Sequence, residues 1–222
     1  MNLVHTVYEP PGPGPHPTLL TLHGWGANAF DLLGLAPYLC GGKFLILCPQ
    51  GPIQVPIGGS AVGYGWFPLS MGGSLDVKSV ARARELVQSF LDDAQGRYPI
   101  DGKKLAVVGF SQGGVMAYSL GLGEPDRFAG LAALSSWLPR DLLNILPDVP
   151  ATEQLPVLVQ HGSKDQAIDV GRARQSVETL RDLRVPVTYK EYDMGHELNA
   201  NSLSDLSSWL EDKVLSPIVL AS

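Results

Sequence analysis

The sequence predicts an α/β domain, a mostly parallel central sheet with helices on both faces. Three observations carry that reading. Strand-length apolar runs alternate with helical stretches along the whole chain, the order that builds a parallel sheet through right-handed crossovers. Residues 44–48 are continuously apolar, as expected of a strand buried on both faces, and 157–160 reads as another buried strand. The residues with chemical capacity, His23 to Gly26, Ser111, His161 to Asp165 and Gly195-His196, all fall just after predicted strands, where such sheets hold their ligands.

Taken in order, residues 4–8 read as a short edge strand, stopped by the proline and glycine of 10–17. Residues 18–22 form an apolar strand ending in His23-Gly24-Trp25-Gly26. Asn28 is placed to cap a helix over 30–39, which Gly41-Gly42 closes before the strand at 44–48. Residues 49–74 have no clear period, and a loop that long inside a compact domain is usually functional. Its Tyr64, Trp66 and Phe67 either line a substrate pocket or pack the loop down.

Apolar residues at helical spacing predict a helix over 77–95, before Pro99 and Gly102 turn the chain into a strand. That strand runs into a glycine-rich turn and a helix over 111–122, followed by a strand at 128–134. Residues 135–155 are irregular and too short for a separate cap domain. A buried strand at 157–160, a helix at 169–183, a strand nearer the sheet edge at 187–192 and a helix at 199–210 follow, with Pro217 ending the ordered chain. No repeat and no linker divides the sequence, so a single domain over 1–222 is expected.

Composition excludes several classes. The 222 residues are 45% hydrophobic and 17% charged, a globular mixture. A net charge of −6 without a basic patch argues against nucleic acid and anionic membrane surfaces. Two cysteines are too few for a disulfide framework, and Cys48, ending an apolar run, reads as a buried free thiol. No apolar run approaches the roughly 20 residues that cross a bilayer, and the first residues do not read as a secretory signal. A cytoplasmic location is the expectation.

The most informative stretch is Gly109-Phe110-Ser111-Gln112-Gly113-Gly114. Strand, glycine-flanked serine and helix together describe a sharp turn that holds a hydroxyl clear of the backbone. The helix begins beside Ser111, so its free N–H groups and positive dipole end face a developing oxyanion. Such a serine needs a base. Of the five histidines, His5 and His16 precede the first buried strand and read as surface residues. His23 and His161 sit at strand ends near the site and are rivals, but in hydrolases with this elbow the base follows the nucleophile, which leaves His161 and His196. His161 abuts its strand and reads as buried and bonded to backbone. His196 follows Gly195 after a strand, where its ring can swing over Ser111, and is the favoured base. The orienting carboxylate is Asp165, on a separate strand end from which it can approach the far ring nitrogen. Asp193 is its rival, and Asp169 reads as a helix N-terminal residue. The oxyanion donors are the backbone N–H groups of Gln112 and Trp25.

These stretches, with Leu22-His23-Gly24-Trp25-Gly26 and His161-Gly162-Ser163-Lys164-Asp165, resemble the phospholipase/carboxylesterase family of α/β-hydrolases over nearly the whole chain. That family includes small bacterial carboxylesterases and acyl-protein thioesterases. The resemblance implies Ser111, Asp165 and His196 as a triad, Trp25 and Gln112 as oxyanion donors, and an acyl site bordered by the loop of Trp66 and Phe67. Gln166 stands where the family often has proline after the acid. The related dienelactone hydrolases use cysteine where this chain has Ser111.

The expected protein is a serine carboxylesterase that hydrolyses short- to medium-chain esters through an acyl-enzyme. Trp66, Phe67 and Leu138 are the expected acyl contacts in an uncapped, shallow site. Thioesterase or lysophospholipase action on longer chains is the alternative, and an intact triad speaks against a non-catalytic binding protein of this fold. No metal or cofactor is expected, and the partner is a small-molecule ester. Nucleic-acid binding and stable membrane insertion are not expected, and the chain is taken as a monomer or homodimer.

Overall fold

A computed structural model describes residues 3–69, 75–146 and 150–216. In chain order the elements are β1 (His5–Tyr8), β2 (His16–Leu22), β3 (Leu45–Pro49), β4 (Ile53–Pro56), β5 (Val62–Gly65), α1 (Val77–Gln95), β6 (Ile100–Phe110) and α2 (Gln112–Gly123). They continue as β7 (Gly130–Leu134), α3 (Arg140–Leu143), β8 (Val157–Gly162), α4 (Val170–Asp182), β9 (Val187–Tyr192) and α5 (Ala200–Leu210). The main sheet runs β1-β3-β2-β6-β7-β8-β9. Edge strand β1 is antiparallel to β3, and every other neighbouring pair is parallel.

Alternation along the strands divides the core into two layers. Leu20, Leu22, Leu47, Val107 and Val159 pack under α1, α2 and α4, together with Val87, Met116 and Val177. Leu19, Ile46, Val108 and Leu158 face the other way, against Leu206, Trp209 and Leu210 of α5 and Ala36 and Leu39. The long helices start where capping chemistry allows. Asp76 accepts the Ser79 N–H ahead of α1, and Asp169 accepts the Gly171 N–H ahead of α4. Asn199 and Ser202 cap each other's backbone at α5.

Several expectations are corrected. No α-helix forms over 30–39. Asn28 Oδ1 instead accepts the Phe30 N–H at 2.9 Å, a local turn, and a short 3₁₀ helix follows at Leu33–Tyr38. Pro37, which lacks a donor, and Gly34, which is entropically costly in a helix, both work against a regular helix there. The stretch 49–74 is not all loop, because β4 and β5 pair as an antiparallel hairpin, Ile53 opposite Gly65 and Pro56 opposite Val62. Glycines and a proline in its arms dilute the apolar alternation that would have revealed it. Residues 70–74 lie outside the described residues, as do 147–149 of the irregular stretch and the expected end at Pro217. His16 is buried at the start of β2 rather than exposed, and the His5 ring bonds the Leu3 carbonyl and the Tyr98 hydroxyl. Among the described residues, no helix is long and apolar enough to cross a membrane.

The hairpin is fastened to the loop after β2. Gly26 N–H donates to the Tyr64 carbonyl and Tyr64 N–H to the Ala27 carbonyl, each at 2.8 Å. A Cβ on Gly63 would overlap the Gly26 carbonyl, so the two backbones meet only because that position is glycine.

Gly113 tests the closeness of α2 to the sheet. A Cβ there would overlap the Leu22 carbonyl oxygen, and backbone cannot yield as a side-chain tip can. Gly113→Ala is expected to lower unfolding free energy by about 2–3 kcal/mol, read from the urea midpoint at unchanged m-value.

Candidate active site

The end of β6 turns into α2 at Ser111, whose backbone has φ 53° and ψ −119°. Positive φ costs a residue with a side chain about 1–3 kcal/mol, and surrounding structure must hold it. Here that structure is backbone against backbone. A Cβ on Gly109 would overlap the Gly113 carbonyl, and one on Gly114 would overlap the Ser136 side chain. Ser111 N–H donates to the Leu134 carbonyl at 2.9 Å, and the Ser136 hydroxyl donates to the Ser111 carbonyl at 2.7 Å. The turn thereby aims Ser111 Oγ at the carboxyl edge of the sheet, beside the first residue of α2.

His196 Nε2 lies 2.9 Å from Ser111 Oγ, and His196 Nδ1 lies 2.7 Å from Asp165 Oδ2. The partners assign the tautomer: Nδ1–H donates to the carboxylate, leaving Nε2 to accept from the hydroxyl. The Asp165 side chain is fully buried, and its Oδ1 accepts the Ala167 and Ile168 N–H groups at 2.9 and 2.8 Å. The imidazole is partly exposed and packs on Phe110 with ring centroids 5.0 Å apart. Asp193, the rival carboxylate, turns outward to Lys164 Nζ at 2.6 Å in solvent. Asp169 caps α4. His161 is buried, with Nε2 2.8 Å from the Ile168 carbonyl oxygen.

The turn that carries Asp165 and the turn that carries His196 are tied together directly. Ser163 N–H donates to the Tyr192 carbonyl and Lys164 N–H to the Met194 carbonyl. A Cβ on Gly162 would overlap the Met194 and Gly195 carbonyls. Asp165 and His196 therefore derive their spacing from backbone contact rather than from long side chains.

On the opposite side of Ser111 stands the loop after β2. A Cβ on Gly24 would sit 3.3 Å from Ser111 Cβ, so Trp25 is the next residue along from direct contact with the elbow. His23 is buried behind it. Its Nδ1 donates to the Gly24 carbonyl at 2.7 Å and its Nε2 accepts the Gly51 N–H at 2.9 Å. Burial pushes its pKa below the usual histidine value, which matches a neutral ring with one bare nitrogen.

The Gln112 side chain is buried, and its role was not legible from its place in the motif. Its Oε1 accepts the Trp66 N–H at 2.8 Å and its Nε2 donates to the Phe67 carbonyl at 2.7 Å. Trp66 Nε1 in turn donates to the His23 carbonyl at 2.9 Å. Elbow, β2 loop and hairpin are thus one hydrogen-bonded assembly. The two alternatives for the loop aromatics resolve toward packing: Trp66 and Phe67 are 1% and 0% exposed, within the core under α1 and α2. Leu138 is also buried, with its N–H held by Ser176 Oγ at 2.8 Å. Trp25 is the aromatic that does reach solvent beside the elbow, 36% exposed, and its ring lies where Gly65 leaves no Cβ. Its position after a strand-end glycine was the available signal. Among the described residues no group of three or more His, Cys, Asp or Glu is arranged to hold a metal ion.

Comparison with known proteins follows this geometry. Residues 4–214 match the phospholipase/carboxylesterase family model. The chain is 29% identical over 211 residues to acyl-protein thioesterase 1 of Gibberella zeae, covering 87% of this chain and 86% of that protein. It is 28% identical over 237 residues to acyl-protein thioesterase 1 of Mycosarcoma maydis, covering 95% and 98%. The carboxylesterase of Bacillus cereus shares its fold with a TM-score of 0.79 at 21% identity, over 94% of this chain and 93% of that one. With its parallel sheet, its elbow and this match along nearly its full length, the chain belongs to the phospholipase/carboxylesterase family and is a carboxylic ester hydrolase of the α/β-hydrolase fold.

Proposed function

We propose that the protein is a serine carboxylesterase in which Ser111, His196 and Asp165 form the catalytic triad. The observation that carries this is the continuous line of hydrogen bonds from Ser111 Oγ through both ring nitrogens of His196 to Asp165. His196 Nε2 takes the Ser111 proton as Oγ attacks the ester carbonyl. The oxyanion is received by the backbone N–H groups of Trp25 and Gln112, one on each side of the serine, where a single donor contributes about 2.7–4 kcal/mol. His196 then gives its proton to the leaving alcohol, and the acyl group stays on Ser111. Water repeats the sequence in place of the serine hydroxyl and releases the acid. Asp165 holds the ring and stabilises its cationic form throughout. These steps require no metal or cofactor.

The acyl group is proposed to be short to medium in length, because the irregular stretch after β7 is too short for a cap over the site. Trp25, partly exposed beside Ser111, is its proposed apolar contact. A thioesterase reading is favoured by the acyl-protein thioesterases of Gibberella zeae and Mycosarcoma maydis among its relatives. It uses the same residues with a thiolate leaving group. A cytoplasmic site of action suits the free Cys40 and Cys48. The chain is taken as one catalytic domain, acting as a monomer or homodimer.

Ser111→Ala is expected to lower kcat on p-nitrophenyl butyrate by roughly 10⁴-fold or more; wild-type activity in this variant would remove Ser111 as nucleophile. Asp165→Ala is expected to lose roughly 10³–10⁴-fold in kcat, while Asp193→Ala stays close to wild type. The reverse pattern would reassign the acid. Across p-nitrophenyl esters, kcat/KM is expected to be higher for butyrate and hexanoate than for palmitate, and a maximum at palmitate would favour the long-chain reading.

A further inference from the structure

We propose that His161 is a positioning residue of this site, holding the Asp165 turn in place beneath His196. The inference rests on the triad reading above and adds to it a second histidine that never touches the substrate.

His161 lies within β8, four positions before Asp165, and its side chain is fully buried. Its Nε2 is 2.8 Å from the Ile168 carbonyl oxygen and 3.3 Å from Asp165 Oδ2. Both neighbours are acceptors, so the ring proton belongs on Nε2, from which it is donated to the Ile168 carbonyl with the Asp165 carboxylate oxygen close beside it. The other nitrogen, Nδ1, is buried with no hydrogen-bond partner. An apolar side chain would fill the same space without leaving a buried nitrogen unpaired. What the imidazole adds is therefore the Nε2–H, and that group points only at the acid turn.

The turn closes on itself through this contact. Ile168 donates its N–H to Asp165 Oδ1 and presents its carbonyl to His161. Two backbone amides hold Oδ1, whereas Oδ2 faces only the two histidines. His196 is partly exposed and changes protonation during each turnover. His161 is the contact to Oδ2 that stays fixed while that happens, so the carboxylate keeps its angle to the ring in every step.

The test compares His161→Met, which keeps volume and removes the N–H, with His161→Gln, whose amide can restore a donor near Nε2. Both are assayed as full chains on p-nitrophenyl butyrate, with thermal unfolding recorded alongside. The expected result is a kcat about tenfold lower in His161→Met at unchanged KM, with His161→Gln recovering most of it. The downfield proton resonance of the His196–Asp165 bond is expected to move in His161→Met and to return in His161→Gln. An unchanged kcat in a folded His161→Met overturns the proposal, and so does an equal loss in both variants. If His161→Met does not fold, His161→Asn replaces it, its amide being one methylene too short to reach Asp165; equal kcat in the Asn and Gln variants is then the overturning result. Asp165→Ala runs in parallel. Full activity in Asp165→Ala would defeat the triad reading itself, whereas a loss there with none in His161→Met defeats only the role of His161.

Discussion

Backbone crowding around Ser111 is the constraint on which the rest of the structure depends. The residue is held at positive φ with a full side chain, a conformation that local preferences oppose. It persists because α2 lies so close to the sheet that Gly109 has no room for a Cβ beside the Gly113 backbone, Gly113 none beside Leu22 of β2, and Gly114 none beside Ser136. That approach in turn needs the two-layer core, since α2 is buried along nearly its whole length between the sheet and α1. The strain sits at the proposed nucleophile, and the burial that opposes it is spread over the central strands.

Two separate assemblies bring partners to this fixed point. On one side, β8 and β9 end in turns that share backbone hydrogen bonds, and Gly162 lets the Met194-Gly195 backbone pass against it. Asp165, with two amides on one oxygen and two histidines near the other, is the rigid end of that arrangement. On the other side, the hairpin β4–β5, the Gln112 amide and His23 hold the loop that carries Trp25. The chain spends buried polar groups there, yet nearly all are paired, which gives a definite geometry.

What could be read in advance follows from how local each signal is. Buried strands and amphipathic helices carry their pattern in neighbouring residues, so α1, β3, β8 and α5 were legible within a residue or two. The elbow was legible because a glycine-flanked serine between a strand and a helix has few other physical meanings. The hairpin was not, because Gly63 and Gly65 answer to the Gly26 backbone and the Trp25 ring rather than to their own strand. The expected helix over 30–39 failed for the converse reason: a plausible cap at Asn28 was outweighed by Gly34 and Pro37. His16 looked exposed only because its burial comes from elements far along the chain.

By itself the sequence determined the alternation of strands and helices, hence a parallel sheet with its chemistry at the carboxyl edge, and it narrowed the base and acid to a few candidates. Only the tertiary structure shows which of them lie together. Asp193 is three residues from His196 in the chain and Asp165 is far from it, but the turn after β8 carries Asp165 beneath the ring while Asp193 pairs with Lys164 in solvent. Trp66 and Phe67 went to the core, where Gln112 bonds their backbone, while Trp25 beside the elbow keeps partial exposure. The physical reason is the same in each case. Periodicity and turn chemistry act between neighbours, whereas the partner of a hydrogen bond and the face a side chain buries are set by segments that meet only when the sheet has formed.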